Sequence, residues 1–168
     1  RRQERENYEG GTVERKEGRV TTPEGRLVRV LDRPGHYSLS ATSPDEDGRR
    51  DVCMGRHPTE PRPELISCVG SATNLRLQLR FLLERRQLGQ PMIVVLNMMD
   101  EAAQIGLKID IDGLRENLGV PVVPAIGVRR DGTANTLREL DNPLPPPPIP
   151  PPANTDLPAE VRHILAVY

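Results

Sequence analysis

The sequence predicts an α/β protein in which a mostly parallel sheet is covered by helices on both faces. Strand-length apolar stretches, of which residues 92–96 are the clearest, alternate along the chain with stretches whose apolar residues recur at helical spacing. These strands are apolar at nearly every position, which is typical of parallel strands that are buried on both faces.

Length and composition narrow this expectation. The 168 residues favour a single domain of ordinary size. Hydrophobic residues make up 36% and aromatic residues only 2%, which predicts a thin, aliphatic core. The 23 Lys and Arg residues balance 24 Asp and Glu residues, so the charge predicts no nucleic-acid partner and no attraction to an acidic membrane surface. The longest apolar run is strand-sized and predicts no membrane-spanning helix.

Lysine and cysteine are rare in this sequence, and their positions exclude two kinds of binding site. The only lysines are Lys16 and Lys108, and neither follows a glycine-rich turn of the kind that binds phosphate. Cys53 and Cys68 are far apart in the sequence and form no metal-binding motif. We therefore expect both to be reduced thiols in a cytoplasmic protein.

The first third of the chain predicts a hairpin followed by a long loop. Residues 12–16 alternate weakly, as in an edge strand, and residues 27–31 are β-branched and aliphatic. Between them, residues 22–25 have Pro and Gly placed for a tight turn. Residues 32–63 are rich in Gly, Pro, Ser and Asp, which predicts a loop with room for one short helix.

The remainder predicts alternating strands and helices. A helix is predicted from the spacing of Leu75, Leu79, Leu82 and Leu83, and Gly89 should end it. The other predicted elements are strands at 65–69, 92–96 and 120–123 and helices at 111–118 and 133–140. Residues 143–152 are dominated by proline and predict an extended spacer before a last helix at 158–167. A ligand for an SH3-type domain is the alternative for the proline-rich run.

Polar motifs follow two of the predicted strands, at the edge where open sheets bind ligands. Asp32-Arg33-Pro34-Gly35 follows the second strand. An aspartate there can hold the hydration shell of magnesium, and the glycine amide can face a γ-phosphate. An ordinary turn is the alternative.

The strand at 92–96 is followed by Asn97 and Asp100. A carboxylate at this position can accept from both N1–H and the exocyclic amine of guanine, which adenine cannot match. The alternative is that Asp100 caps a helix that starts at Glu101. Thr12, in the loop before the first strand, could offer its hydroxyl to magnesium or could simply begin the strand.

Taken in order, these motifs resemble the cytosolic G domain of the ferrous iron transport protein B (FeoB) family, a P-loop NTPase-like, Ras-like fold. The resemblance runs from about Asn7 to Leu140. It is carried by the strings at 12–18, 34–39, 43–46, 72–75 and 91–102. It divides the chain into an incomplete G domain at 1–141, a Pro-rich linker at 142–157 and the start of a helical region at 158–168.

The resemblance also implies roles for individual residues. Thr12 and Asp32 would be magnesium ligands, and Gly35 would lie at the start of switch II. Asn97 and Asp100 would bind the guanine of GTP or GDP. Residues 43–46 would couple the nucleotide state to a neighbouring helical domain. His36 occupies a position where other G domains place a water-positioning residue, with an exposed loop histidine as the alternative.

The chain departs from the family in three places. The 168 residues contain no G-x-x-x-x-G-K-[ST] loop, so we expect GTP binding and hydrolysis to be impaired. The strand before that loop would lie between residues 27–31 and 65–69, so we expect unpaired strand edges and an exposed apolar face there. Gly70-Ser71 replaces the family's aspartate, and Ala125-Ile126-Gly127 stands where the guanine-contacting loop usually has Ser-Ala.

Three functions remain open on the sequence alone. The first is a fragment of the GTPase switch domain of a ferrous iron transporter, at the cytoplasmic face of the membrane, with guanine nucleotide, the transporter portion and the helical domain as partners. The second is a pseudo-GTPase that binds a protein partner without nucleotide. The third is an unrelated α/β enzyme that uses His36 or Cys53, although no base and nucleophile stand at a recognisable spacing.

Overall fold

The strands in the described part of the chain form two sheets. The computed structural model describes residues 16–32, 52–58, 60–129 and 131–149. The elements, in chain order, are β1 Lys16–Thr21, β2 Leu27–Asp32, β3 Ile66–Ser71, α1 Leu75–Arg86, β4 Met92–Asn97, α2 Met99–Gln104, α3 Ile111–Leu118, β5 Val122–Pro124 and α4 Ala134–Glu139. A single 3₁₀ turn, Ala72–Asn74, joins β3 to α1. The predictions for Thr12, Gly35, His36, residues 43–46 and the helix at 158–167 lie outside the described residues.

β3, β4 and β5 form a parallel three-stranded sheet with β4 in the middle. Successive side chains of β4 point to opposite faces. Met92, Val94 and Leu96 belong to the larger core cluster, together with buried leucines of α1 and α3. Ile93 and Val95 form a smaller cluster on the other face. The predicted α/β class with a parallel sheet is confirmed, and β4, its central strand, is buried on both faces.

The helices begin and end where the local chemistry favours it. α1 buries Leu79, Leu82 and Leu83, as their spacing predicts. α3 begins after Asp110, whose Oδ1 accepts a hydrogen bond from the Gly113 amide at 2.9 Å. It ends at Gly119, which takes a left-handed φ of 65° that favours glycine.

β1 and β2 form a separate antiparallel hairpin, as predicted. The end predicted for the first strand was wrong, because the strand runs on from Lys16 to Thr21, whereas its predicted start at residue 12 lies outside the described residues. Neither strand of the hairpin has a buried residue. A strand without a buried face needs no alternation of apolar and polar residues, so the sequence does not mark where these strands end. The length of β1 is set by its partner, since its six residues pair one to one with β2.

Within the described ranges, β2 and β3 are not paired, in line with the expected gap in the sheet. Val69 of β3 is 65% exposed. Its register partner Val95 is buried, as is Ile93 on the same face. The exposure of Val69, next to the expected gap, agrees with the expected apolar face, and β4 on the far side of β3 is covered. Leu65 and Leu140 pack against the β4 residues.

After α4, residues 143–149 belong to neither a helix nor a strand, as their prolines predict. In the parts of the chain with described structure, no helix combines the length and the apolar character needed to cross a bilayer. The division at residues 141 and 157 stays a prediction.

Candidate functional site

The carboxyl ends of β3, β4 and β5 meet at one edge of the parallel sheet. Ser71 ends β3 and is the register partner of Asn97, which ends β4. Next to them the chain leaves β5 at Ala125, whose amide donates to the carbonyl of Leu96 at 2.8 Å. Three chain segments therefore lie side by side where open α/β sheets bind their ligands.

Asn97 fixes the loop that follows β5. Its side-chain Oδ1 accepts a hydrogen bond from the amide of Gly127 at 2.7 Å. A Cβ atom on Gly127 would lie 3.1 Å from Nδ2 of Asn97, so the loop approaches more closely than most side chains would allow. Among the described residues, no hydrogen bond engages Nδ2 of Asn97. That nitrogen is the group left to donate to a ligand.

Met98 turns the chain between Asn97 and Asp100. It takes a left-handed conformation, with φ 62° and ψ 34°, and is the N-cap of α2 without making a side-chain capping bond. The hydroxyl of Ser71 donates to its Sδ at 3.3 Å. The contact binds the thioether to the end of β3.

The helix-cap alternative for Asp100 is wrong. α2 begins at Met99, two residues earlier than expected, so Asp100 lies inside the first turn. The left-handed turn at Met98 is what lets the helix start there. In the described part of the chain, no hydrogen bond or ion pair engages the half-buried Asp100 carboxylate. Both of its oxygens can accept from a ligand at this edge.

The predicted magnesium ligand Asp32 lies in a different sheet from Asn97. Asp32 is exposed at the end of β2, in the separate hairpin. No hydrogen bond or ion pair joins it to Asn97 or Asp100 within the residues that the structure describes. The structure therefore brings together the two residues predicted to bind guanine, but makes no described contact between them and the predicted magnesium ligand.

The sequence did not predict the contacts that organise the site. The signal for the Asn97 contact was the glycine at position 127, in a loop that was noticed only for departing from the family pattern. The Ser71 contact with Met98 has no sequence signal, because a serine at the end of a strand has many local partners.

The two cysteines are thiols with no disulfide between them, as expected. Burial raises the pKa of the Cys68 thiol to about 11, the Arg85 guanidinium opposes this shift, and Cys53 adds to it. Nη1 of Arg85 lies 3.9 Å from Sγ of Cys53. In the described ranges, no three His, Cys, Asp or Glu residues are grouped so that they could hold a metal ion.

Comparison with known proteins identifies relatives of this fold and site. The family model described as "Ferrous iron transport protein B" matches residues 1–140. A Salmonella typhimurium protein named Fe(2+) transporter FeoB is 37% identical over 126 residues, which are 75% of this chain and 16% of that protein. A Porphyromonas gingivalis fusion of Fe(2+) transport protein A with FeoB is 37% identical over 121 residues, which are 72% of this chain and 14% of that protein. The chain thus spans about a sixth of the length of these relatives.

Solved structures show the same similarity. The cytosolic domain of the T. maritima FeoB iron transporter in its GMPPNP form matches 83% of this chain and 51% of its own, with a TM-score of 0.69 and 34% identity. Its GDP form I has a TM-score of 0.72 at 30% identity, and the match covers 88% of this chain and 56% of that one. The FeoB G-domain from Methanococcus jannaschii matches 74% of both chains, with a TM-score of 0.64 and 34% identity. The fold is therefore that of a P-loop NTPase G domain, as the resemblance implied.

Proposed function

Because this chain belongs to the ferrous iron transport protein B family, we propose that it is part of the guanine-nucleotide switch domain of a ferrous iron transporter. Asn97 and Asp100 bind the base. The observation that carries the proposal is the Asp100 carboxylate, which is half-buried, follows Asn97 by three residues and is not used to cap α2. Two acceptor oxygens in one plane match the two adjacent donors on the Watson–Crick edge of guanine.

The rest of the proposal concerns the phosphates. Magnesium prefers oxygen ligands and keeps several waters, so a site with few protein carboxylates fits it. An exposed aspartate at the end of β2 suits that role, and we propose Asp32 and Thr12 as the ligands. When bound, the ion would neutralise phosphate charge. Gly35 would face the γ-phosphate, and His36 is proposed to position water beside it.

We further propose that these 168 residues, tested on their own, bind GTP and GDP weakly and hydrolyse GTP poorly. Most of the affinity for a nucleoside triphosphate comes from a glycine-rich loop and its lysine, which surround the phosphates. These 168 residues contain no such motif. In the transporter, the domain would work at the cytoplasmic face of the membrane with the helical domain and the transporter portion as partners.

NMR titration of the isotope-labelled chain tests the base contact, because chemical shifts report even millimolar binding. We expect GDP with magnesium to shift the amides of Gly127 and of α2, and ADP to leave them unchanged. The Asp100→Asn variant replaces an acceptor by a donor, so it should prefer xanthosine diphosphate, which carries an oxygen in place of the guanine amine. The Asp112→Asn variant, on the exposed side of α3, is the charge-matched control.

Two results would reject parts of this proposal separately. Equal shifts with ADP and GDP, or a preference for guanine kept by Asp100→Asn, would remove Asp100 from base recognition. Micromolar binding of GTP by the unaltered chain would leave the base contact intact and show that the proposed weakness is wrong.

A further inference from the structure

Thr22, at the turn of the hairpin, is buried although the rest of the turn is exposed. In the turn, the Arg26 amide donates to the hydroxyl of Thr22 at 3.1 Å, and the Gly25 amide donates to the Thr22 carbonyl at 2.9 Å. The residues around Thr22 are exposed, yet Thr22 itself is only 4% exposed. A polar residue buried in an otherwise exposed turn indicates that another part of the chain covers it.

The cover is supplied by Leu140 and Asp141, which follow α4. One oxygen of the Asp141 carboxylate accepts from the Thr22 hydroxyl, and the other accepts from the Glu24 amide at 3.1 Å. Nη1 of Arg26 donates to the Leu140 carbonyl at 3.3 Å. Hydrogen bonds to an ionised carboxylate are stronger than those between neutral groups. A single aspartate therefore joins two places that are 117 to 119 residues apart.

The Pro-rich segment begins immediately after this aspartate and is fixed again at its far end. Residues 143–149 contain five prolines, whose fixed φ makes the chain stiff. At the far end Pro148 is buried, and the Ile149 carbonyl accepts from Nη2 of Arg86 at 3.4 Å. The segment therefore runs between two anchors, Asp141 at the hairpin turn and Arg86 at the end of α1.

We propose that Asp141 is a latch that couples the hairpin to the Pro-rich segment, so that releasing the hairpin turn also releases residues 143–149 from Arg86. β1 and β2 form a six-pair ladder that joins the latched turn to Asp32 at the other end of the hairpin. If Asp32 is the nucleotide-dependent ligand proposed above, the ladder would carry the nucleotide state to the segment that leads out of the domain. That extension rests on the proposed function, whereas the latch itself does not.

NMR of the isotope-labelled 168-residue chain without nucleotide tests the latch. The amide of Glu24 reports on the turn, the ring carbons of Pro148 report on the Pro-rich segment, and the amide of Val94 reports on the core. In Asp141→Asn the side chain loses its charge and one of its two acceptor oxygens, so it can no longer accept from both the Thr22 hydroxyl and the Glu24 amide. We expect hydrogen exchange at Glu24 to accelerate about tenfold, Pro148 to shift towards its position in an unstructured peptide, and Val94 to stay unchanged.

Two further variants separate the latch from a general loss of stability. Thr22→Val removes the hydroxyl at nearly constant shape and should release both reporters, whereas Thr22→Ser keeps the hydroxyl and should release neither. The double variant Thr22→Val with Asp141→Asn should change exchange at Glu24 and the position of Pro148 little more than either single variant does, because both substitutions break the same contact. Asp131→Asn, at an exposed acid before α4, is the charge-matched control.

Several outcomes would overturn the proposal. One is faster exchange at Glu24 with Pro148 unmoved, which would mean that the two ends are independent. Another is identical behaviour of Thr22→Val and Thr22→Ser, which would remove the hydroxyl from the contact. If Asp141→Asn also accelerates exchange at Val94, the two Thr22 variants test the latch instead: release of Glu24 and Pro148 in Thr22→Val but not in Thr22→Ser supports it, and any other result rejects it. None of these readings needs nucleotide, so a chain that binds no guanine nucleotide would reject the proposed function and leave this test intact.

Discussion

The hairpin and the three-stranded sheet are held in place by different forces. Every residue of β4 from 92 to 96 is buried, whereas neither strand of the hairpin buries one. The hairpin contacts the rest of the domain through polar groups, including the latch at Asp141 and an ion pair at 3.6 Å between Arg29 and the buried Glu60. The sheet is thus stabilised by apolar burial, and the hairpin by a few directional contacts.

This difference predicts different local stabilities. A hydrogen bond contributes a net stability of about 1 kcal/mol, while full burial of one large aliphatic side chain contributes about 2 kcal/mol. Regions with few buried apolar contacts open at lower free energy than the core. We therefore expect the hairpin to open many times while the sheet stays folded.

The largest expected effect is in the sheet and its helices. Leu83→Ala in α1 empties a site that is 0% exposed and should lower the free energy of unfolding by about 3 kcal/mol. Leu77→Ala, in the same helix at 44% exposure, should cost less than about 1 kcal/mol. Urea unfolding followed by circular dichroism measures both. Equal losses would mean that α1 is not packed as described.

The next effect is a pH dependence that originates in β3. The folded Cys68 thiol has a pKa of about 11, raised from the ordinary value of 9.0. Above pH 9 the unfolded chain loses this proton first, so stability is unaffected below pH 9 and falls as the pH rises towards 11. The loss should reach about 2 to 3 kcal/mol.

Urea unfolding at pH values from about 8 to about 11 measures this loss as the difference between the unaltered chain and Cys68→Ala. Cys53→Ala is the matched control and should keep the pH dependence. A constant difference between the unaltered chain and Cys68→Ala across this range would show that Cys68 is accessible to water.

The smallest expected effect is in the hairpin. Glu17 and Arg29 form an exposed ion pair at 2.6 Å across the two strands. Glu17→Gln should destabilise the hairpin by about 0.5 kcal/mol or less. Faster amide exchange within residues 17–31, with exchange at Val94 unchanged, would show that the hairpin opens while the sheet stays folded. Equal acceleration of exchange at Val94 would contradict this difference, because the hairpin and the sheet would then open together.

The sequence predicts the apolar part of this fold and little of the polar part. Residues 92–96 are recognisable as a strand because each of them is apolar, and the leucines of α1 because they recur along one face. The predicted end of β1 was wrong because charged, exposed residues leave no period to follow. A burial pattern depends on residues that are close together in the sequence, so it can be predicted without a structure.

The candidate site was predictable in its residue types but not in its geometry. Asn97 and Asp100 are predicted from their place after a strong strand, and their role stays a prediction. The left-handed Met98, which moves the start of α2 and takes Asp100 out of the cap position, has no signature in a run of two methionines. Asp141 was not predicted at all, because its partners at the hairpin turn are more than a hundred residues away.

The scarcity of lysine has a practical consequence. Lys16 is exposed at the start of β1, and Lys108 is exposed between α2 and α3. One side-chain amine therefore lies in the hairpin and the other on the body that contains the parallel sheet. An amine-directed crosslinker can join these regions through one pair of lysines only. A single crosslinked peptide would then report the distance between hairpin and body, without any engineered label.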